Sequence, residues 1–321
     1  MGEVMIQFNP IKSGPLKHVS LFEKHVAGSE SNVAIGLKRL GMDSGIITAV
    51  GNDEFGKNIL MALKSEDIDT ATIKVSRKYP TGIYFVERNF PIPNHSNVFY
   101  YRNESAMSHL QPSFIKKDFF NNIDLFHVSG ITPLLSGNCE KASNLALKFA
   151  LESNIFISFD TNIRRKLVKN ADKDREKMRS FIEHSDIIFT GKGDLRFLTR
   201  SNLSKAEELL RAFFNKFSVK KKAIVVIKVG AKGALAWDGV KMYHQESLKM
   251  PTVDTIGAGD AFDAAFLATF IKEFNIKKSL KVGVVAGAMV TGITGDYEAF
   301  PTEAEIELAQ RYSENENDYL R

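Results

Sequence analysis

Asp254-Thr255-Ile256-Gly257-Ala258-Gly259-Asp260 leads directly into the apolar run Ala261 to Phe270. Within that run Phe262, Phe266 and Phe270 recur at helical spacing, so the pattern predicts a helix that begins at the Gly-Ala-Gly turn. Small residues let the backbone approach a ligand, and the free amides of a first helical turn together with the helix dipole favour an anion. The stretch therefore predicts an anion site at the start of a helix.

Asp260 lies on the first turn of this predicted helix. A carboxylate beside an anion site is costly unless it has a task, and taking a hydroxyl proton during phosphoryl transfer is such a task. The alternative is an ordinary helix start in which Asp260 only complements the helix dipole. The run is not a Walker loop, and no Gly-x-Gly-x-x-Gly follows a first strand, which argues against a P-loop enzyme and a dehydrogenase.

The second half of the chain alternates apolar runs with helix-length segments. Residues 124–128, 155–159, 186–189 and 223–227 have the composition of buried strands. Repeated strand-helix-strand units predict an α/β fold with a mostly parallel central sheet flanked by helices on both faces.

The first hundred residues have a different pattern. Residues 82–87 and 97–102 are rich in Tyr, Phe, Val and Ile and predict antiparallel strands outside the main sheet, and residues 18–25 are a third candidate. We expect one α/β domain over residues 1–321, with a small β-sheet lid built from segments near 8–27 and 80–104.

Composition excludes several classes of protein. The 43 Lys and Arg exceed the 38 Asp and Glu by only five in 321 residues, so we expect no nucleic-acid partner. The apolar tract Val282 to Ile293 is shorter than the roughly 20 residues that cross a bilayer, and no export segment opens the chain, so we expect no membrane association. Cys139 is the single cysteine, which fits a cytoplasmic location and excludes an internal disulfide.

A second motif lies near the start: Ala27 to Ala34, then Leu40-Gly41, then Val50 to Gly56. This motif and the segment Asp254 to Ala265 closely resemble the two motifs of the ribokinase/PfkB sugar kinases. They also occur in the same order and at a similar separation. The resemblance implies the ribokinase-like fold with its β-lid, and phosphorylation of a hydroxyl that depends on ATP and a divalent cation, Mg²⁺ being the expected one. It also implies that Asp260 is the base and that the amides of Gly257, Ala258 and Gly259 form the anion hole.

Two arginines bear on the substrate. Arg102 and Arg164 each offer a planar guanidinium that fits the carboxylate of a sugar acid, whereas a neutral sugar has no need of one. The alternative for each is a surface arginine or one paired with a nearby acid.

Five segments resemble the 2-keto-3-deoxygluconate kinases of the family: residues 81–84, 99–102, 127–133, 160–164 and 295–298. Residues 14–19 and 22–28 most resemble archaeal members, which accept both the gluconate and the galactonate epimers. The resemblance implies transfer to the C6 hydroxyl of the sugar acid. It implies that Gly28 and Asn32 touch substrate hydroxyls, that Tyr84, Tyr100, Arg102 and Arg164 hold the carboxylate and keto end, and that Asp296 binds near the far end.

For ATP, Lys228 to Gly233 resembles the nucleotide loop of the family, the alternative being a simple hairpin turn. The ATP-binding residues implied are Asn162, Thr190, Lys228, Gly230, Lys232, Gly233, Gly257 and Gly259. Many family members carry Asn-x-x-Glu after the strand that ends near Phe189, but here the segment is Thr190-Gly191-Lys192-Gly193-Asp194. The metal ligands are therefore left unassigned.

Two rival functions stay open. One is a kinase of a neutral sugar such as fructose or ribose, which leaves Arg102 and Arg164 without a purpose. The other is a non-catalytic sugar or nucleotide sensor, which has no need of Asp260 in front of an anion hole. We also expect a homo-oligomer joined through the lid, because a small sheet has unpaired edges and an apolar face.

Overall fold

The computed structural model describes residues 1–92 and 96–314. Twelve strands are present in this part of the chain: β1 Met5–Pro10, β2 Phe22–Ala27, β3 Thr48–Gly51, β4 Ile73–Ser76, β5 Ile83–Arg88, β6 Ser96–Tyr101, β7 Leu125–Ser129, β8 Phe156–Asp160, β9 Ile187–Gly191, β10 Ile224–Lys228, β11 Ala234–Trp237 and β12 Met242–Gln245.

Ten helices accompany them in the same part of the chain: α1 Ser29–Arg39, α2 Glu54–Ser65, α3 Ile131–Leu135, α4 Gly137–Glu152, α5 Ala171–His184, α6 Lys192–Thr199, α7 Ala206–Lys216, α8 Ala258–Glu273, α9 Ile276–Val290 and α10 Glu303–Glu314. None of the helices in the described ranges has the length and hydropathy of a membrane span.

The body of the molecule is a six-stranded sheet in the order β12-β11-β10-β9-β8-β7. Strands β7 to β10 are parallel and β11 and β12 are antiparallel, which confirms the mostly parallel sheet that the sequence predicts. Each of the four predicted strands is found and begins one residue later than expected.

Strand β10 shows why this sheet is buried on both sides. Val225 and Ile227 pack into the core beside α4, α5 and α7, whereas Ile224 and Val226 pack into the core beside α1, α8 and α9. Successive side chains of a strand point to opposite faces, so a continuous apolar run fits a strand that is covered twice.

The lid is a separate four-stranded sheet in the order β2-β1-β5-β6. Strand β1 pairs with β2 antiparallel and with β5 parallel, and β5 pairs with β6 antiparallel. The sequence predicts a lid that starts near residue 8, but it starts at Met5. Tyr84 and Tyr100 face the cavity, whereas Phe8, Phe85 and Tyr101 lie on the opposite face, where Phe8 packs against Phe55 of α2.

Helix α8 runs through the centre of the body, and its residues from Asp260 to Phe270 are all buried. It begins after Gly257, which has a φ of 79°, in the left-handed region that favours glycine. A Cβ at this position would lie 2.1 Å from the backbone oxygen of Asp296. The turn can therefore bring the start of α8 against the loop that holds Asp296 only with glycine at this residue.

Candidate active site

A cavity of about 1070 Å³ separates the lid from the body. Its floor is the carboxyl-terminal edge of the parallel strands, represented by Asp160, Gly191 and Lys228, together with the start of α8. The inward faces of β1, β5 and β6 form its roof. Ligands of parallel α/β sheets bind at this edge, because the strand ends and helix starts leave polar backbone groups there.

The cavity brings together most of the residues that the sequence analysis selects. Its wall includes Gly28, Asn32, Tyr84, Tyr100, Arg102, Asn162, Arg164, Lys228, Gly257, Gly259, Asp260 and Asp296. Four of the residues selected for ATP lie outside this wall: Thr190 is fully buried under it, and Gly230, Lys232 and Gly233 belong to a turn farther out.

Asp260 is held by two residues of helix α1. The hydroxyl of Ser29 donates to Oδ1 at 2.7 Å, and the amide nitrogen of Asn32 donates to Oδ2 at 2.8 Å. Residues three apart share one face of a helix, so a single rigid element supplies both donors. The carboxylate is fixed while its remaining lone pairs stay available.

Burial raises the pKa of Asp260 to about 6, although the hydrogen bonds from Ser29 and Asn32 lower it. Desolvation disfavours the charged form of a carboxyl group, and donors to the carboxylate favour it. With its pKa just below 7, the group is mostly ionised at neutral pH and is well matched to accept a proton.

Asp296 lies beside Asp260 and shares its donor. Asn32 also donates to Oδ1 of Asp296, and the hydroxyl of Tyr84 donates to Oδ2 at 3.0 Å. Burial, followed by the charge of Asp260, raises the pKa of Asp296 to about 7. Two neighbouring carboxylates therefore face one end of the cavity, bridged by one amide.

Gly28 comes directly before α1 at the same end of the cavity. A Cβ on Gly28 would lie 2.5 Å from the backbone oxygen of Glu3. The start of α1 can therefore approach the N-terminal segment only because residue 28 has no side chain.

Arg102 has a counter-ion that the sequence does not indicate. Its Nε and Nη2 lie 2.6 and 2.5 Å from Oε2 of Glu3, and the hydroxyl of Ser105 donates to the other oxygen of Glu3. The guanidinium also lies 5.2 Å from the ring centre of Tyr100 and is 3% exposed. The geometry of the Arg102 side chain thus matches the alternative in which the arginine is paired with a nearby acid.

Arg164 differs from Arg102 because it forms no ion pair with any residue in the described ranges. Burial lowers the pKa of its guanidinium, but Tyr100 and then Asp260 and Asp160 outweigh that effect and raise it. Its side chain lines the cavity and stays charged. Arg164 is therefore available to pair with an anionic ligand in the cavity.

Lys228 lies at the end of β10, between two carboxylates. Its Nζ is 3.0 Å from Asp160 and 2.8 Å from Asp263, one helical turn beyond Asp260. Burial alone would lower the pKa of the ammonium group, but the two carboxylates outweigh burial and raise it. Lys228 therefore joins β8, β10 and α8 under the cavity.

Asp194 lies in the first turn of α6 and lines the cavity. Its Oδ2 accepts hydrogen bonds from the Thr161 hydroxyl at 2.7 Å and from the Ile163 amide at 3.2 Å, and burial raises its pKa. The Thr161 hydroxyl also lies 3.0 Å from that of Thr190. No group of three or more His, Cys, Asp or Glu in residues 1–92 and 96–314 is arranged to enclose a metal ion.

Comparison with known proteins decides the family. The model of the pfkB family carbohydrate kinases matches residues 1–303. This chain belongs to that family. A 2-dehydro-3-deoxygluconokinase from Thermoproteus tenax is 36% identical over 96% of this chain and 92% of its own length. A probable chloroplastic fructokinase from Arabidopsis thaliana is 30% identical over 96% of this chain and 80% of its own length.

A solved structure of a ribokinase II from E. coli, in complex with ATP and Mg²⁺, has a TM-score of 0.87 and 26% identity and covers 97% of both chains. The ribokinase-like fold of this pfkB family kinase is thereby confirmed. In this chain a lid sheet lies above the carboxyl-terminal edge of the main sheet, as the motifs imply.

Sequence reasoning on this kinase missed four polar residues of the site: Ser29, Glu3, Asp160 and Asp263. Ser29 and Asp263 lie inside the two motifs, three residues from Asn32 and Asp260, so helical spacing could have placed them on the same faces. No signal in the sequence pairs Glu3 with Arg102, because the two lie 99 residues apart.

Proposed function

We propose that this kinase transfers the γ-phosphoryl group of ATP to the C6 hydroxyl of 2-keto-3-deoxy-D-gluconate and of its galactonate epimer. The observation that carries the proposal is the position of Asp260, a carboxylate fixed by two donors of α1 on the first turn of α8, which lines the cavity together with Gly257 and Gly259. The similarity to the Thermoproteus tenax enzyme supports the substrate class.

The role proposed for Asp260 is that of the base. As the C6 oxygen forms its bond to the γ-phosphorus, the bond from that phosphorus to the bridging oxygen of ADP breaks and the hydroxyl proton passes to Asp260. In a loose transition state the proton leaves late, so a carboxylate with a pKa of about 6 is sufficiently basic.

The amides of Gly257, Ala258 and Gly259 are proposed to hold the charge that develops on the transferred group. They lie at the start of a 16-residue helix, where backbone N–H groups have no intrahelical partner and the dipole is positive. The Ala258 amide already has a long contact of 3.4 Å with the backbone oxygen of Thr255, which a bound phosphoryl group would have to replace. Preorganised donors of this kind stabilise a transition state without reorganisation.

The sugar acid is proposed to lie with its carboxylate and keto end towards Tyr84, Tyr100, Arg102 and Arg164, with Gly28 and Asn32 near its hydroxyls and Asp296 near its far end. The geometry favours unequal roles for the two arginines. Because Glu3 already neutralises Arg102, the proposal assigns the carboxylate's charge to Arg164 and leaves Arg102 to orient Tyr100 and donate from its free edge.

ATP is proposed to bind on the side of Asn162 and Lys228, with Gly230, Lys232 and Gly233 as outer contacts. The sequence expectation that Thr190 binds ATP does not fit its position, because Thr190 is fully buried and its hydroxyl lies 3.0 Å from that of Thr161. Carboxylates are concentrated on this side, since Asp160 and Asp263 share Lys228 and Asp194 lines the cavity near them. That arrangement fits a divalent cation such as Mg²⁺, which binds with one or two carboxylates, waters and phosphate oxygens. The cation, when bound, would neutralise phosphate charge, and Asp194 is the residue placed to face it.

The rival with an observation in its favour is a neutral-sugar kinase, because one relative is a probable fructokinase. Arg164 distinguishes the two, since a neutral sugar leaves a charged guanidinium without a counter-ion in the cavity. The sensor hypothesis is less favoured, because a sensor has no need of the carboxylate that Ser29 and Asn32 fix at the start of α8.

An ADP-release assay with Mg-ATP tests the proposal on 2-keto-3-deoxygluconate, 2-keto-3-deoxygalactonate, gluconate, fructose and ribose. We expect turnover of the keto-deoxy acids alone, loss of turnover in Asp260→Asn with ATP binding retained, and a KM for the acids raised about 100-fold in Arg164→Gln. Arg165→Gln, at an exposed neighbour outside the cavity, is the matched control. Turnover of fructose or ribose by the unchanged enzyme would overturn the substrate assignment.

A homo-oligomer joined through the lid is part of the same proposal, as is a cytoplasmic location. Phe8, Phe22, Phe85 and Tyr101 form an aromatic cluster on the lid face away from the cavity. Phe55 of α2 packs against Phe8, whereas Tyr101 is 66% exposed. A second copy of the chain could cover this face and pair with the free edges of β2 and β6. Light scattering of Tyr101→Lys against the unchanged protein tests it, and an unchanged mass would exclude this face.

A further inference from the structure

Ser29 and Asn162 form a directed chain of hydrogen bonds that ends on Asp260. The amide nitrogen of Asn162 lies 2.9 Å from Oγ of Ser29, and that Oγ lies 2.7 Å from Oδ1 of Asp260. Ser29 comes from the first turn of α1, and Asn162 comes from the loop after β8, so two separate elements meet at the carboxylate.

The direction of this chain follows from proton counting. An ionised carboxylate can only accept, so the single hydroxyl proton of Ser29 must point to Asp260. The oxygen of Ser29 is then an acceptor towards residue 162, which fixes Asn162 with its nitrogen, and not its oxygen, turned to Ser29. Asn162 has a φ of 31°, in the left-handed region, which asparagine tolerates better than most residues.

We propose that Ser29, oriented by Asn162, is a positioning residue that fixes the base Asp260 and holds it in its ionised form, and that it thereby sets the lower pH limit of turnover. This inference rests on the proposed function, since it takes Asp260 to be the base. Ser29 acts through its contact with the carboxylate of Asp260, and this role requires no contact between Ser29 and the sugar.

The charged groups around Asp260 do not by themselves favour its ionised form, so the neutral donors must stabilise it. Asp160 from β8, Asp263 from α8 and Asp296 from the last loop of the site all oppose its ionisation, whereas Lys228 from β10 and Arg164 favour it. Three carboxylates thus face two cations, and Lys228 is already shared by Asp160 and Asp263. The donors Ser29 and Asn32 are the contacts that compensate for burial at the carboxylate itself.

The pH dependence of kcat/KM tests the inference, because it reports the ionisation of the free enzyme. Removal of one donor to a charged group should move the acid limb of Ser29→Ala upwards by about one pH unit. With a wild-type pKa of about 6, that shift predicts roughly fivefold more activity lost at pH 6 than at pH 8.5. Asn162→Ala should move the limb the same way by less, and the two changes should not add.

Ser31→Ala is the matched control. Ser31 lies on the same helix, is also buried, and donates its hydroxyl to the backbone oxygen of Gly28 at 2.8 Å instead of to Asp260. Its acid limb should stay where the unchanged enzyme has it. A limb that moves equally in Ser31→Ala would show a structural effect and overturn the inference.

A second readout needs no turnover. The ¹³C shift of the Asp260 carboxyl, assigned by its loss in Asp260→Asn, should titrate about one unit higher in Ser29→Ala. If Asp260→Asn still turns over, the proposed function fails at its base. If Asp260→Asn is inactive but neither the acid limb nor the carboxyl titration moves in Ser29→Ala, the inference alone fails. Should Ser29→Ala not fold, Asn162→Ala decides by the same two measurements.

Discussion

Nη2 of Arg88, in lid strand β5, lies 2.6 Å from the carboxylate of Asp254, directly before the turn that opens α8. The other oxygen of Asp254 accepts from the amides of Thr255 and Ile256, and Arg88 also donates to Asn9 of β1 at 2.9 Å. One ion pair therefore ties the lid to the loop that leads into the proposed anion hole.

Arg88→Met should leave the Asp254 carboxylate buried without a counter-ion. Loss of one partner of a buried pair costs about 3 kcal/mol, which we expect as the fall in the free energy of unfolding in urea. Arg311→Met is the control, because the ion pair of Arg311 with Glu307 is exposed and worth less than about 1 kcal/mol. Equal losses in the two variants would contradict a structural role for the lid contact.

Lys228→Met should destabilise the protein by about 3 kcal/mol or more, because it leaves Asp160 and Asp263 side by side without their cation. Asp263→Asn added to Lys228→Met should return part of that loss, since one of the two opposing charges is then gone. A double-mutant cycle of unfolding free energies measures the coupling. Strict additivity would show that the three side chains act independently.

His25 of β2 lies 2.6 Å from Glu298, whose other oxygen accepts the backbone amide of Asp296. The hydrogen bond to Glu298 raises the pKa of His25 above 6.5, with smaller contributions from Glu23 and Asp296, and the same pair lowers the pKa of Glu298 below 4.5. A raised histidine pKa stabilises the fold below about pH 6.5 and ceases to do so as the pH rises through the folded value.

His25→Gln should therefore lose about 1 kcal/mol of unfolding free energy at pH 6 and almost none at pH 9. Urea denaturation at both pH values measures the difference. A loss that is the same at pH 6 and pH 9 would mean that packing, and not the charge of His25, joins the lid to the Asp296 loop.

Asp260 should make the unliganded protein less stable as the pH rises. Its folded pKa of about 6 exceeds the ordinary 3.8, so its contribution is complete below about pH 3.8 and is lost as the pH rises through 6. From pH 4 to pH 8, the unfolding free energy of Asp260→Asn should therefore rise by about 2 kcal/mol relative to that of the wild type. Thermal unfolding across that range is the measurement, with Asp118→Asn, at an exposed carboxylate, as the control. A parallel course of wild type and Asp260→Asn would show that burial does not disfavour this charge.

Local sequence patterns determined much of this protein. The apolar runs of β7 to β10 identify the parallel sheet because a strand buried on both faces must be apolar throughout. The turn before Asp260 identifies the start of α8 because glycine accommodates the left-handed backbone there and the apolar run that follows has helical spacing. The motif residues Gly28, Asn32 and Asp260 follow from the resemblance to the ribokinase/PfkB kinases, and the cavity does include all three.

Only the tertiary structure decided which charges are free. Arg102 and Arg164 are equivalent in the sequence, yet Glu3, 99 residues from Arg102, neutralises one of them, and no described residue pairs with the other. Likewise, Asn32 meets Asp260 and Asp296 across 228 and 264 residues. Periodicity records how a residue relates to its own helix or strand, whereas the charge and the pKa of a site depend on neighbours that the chain brings together only when it folds.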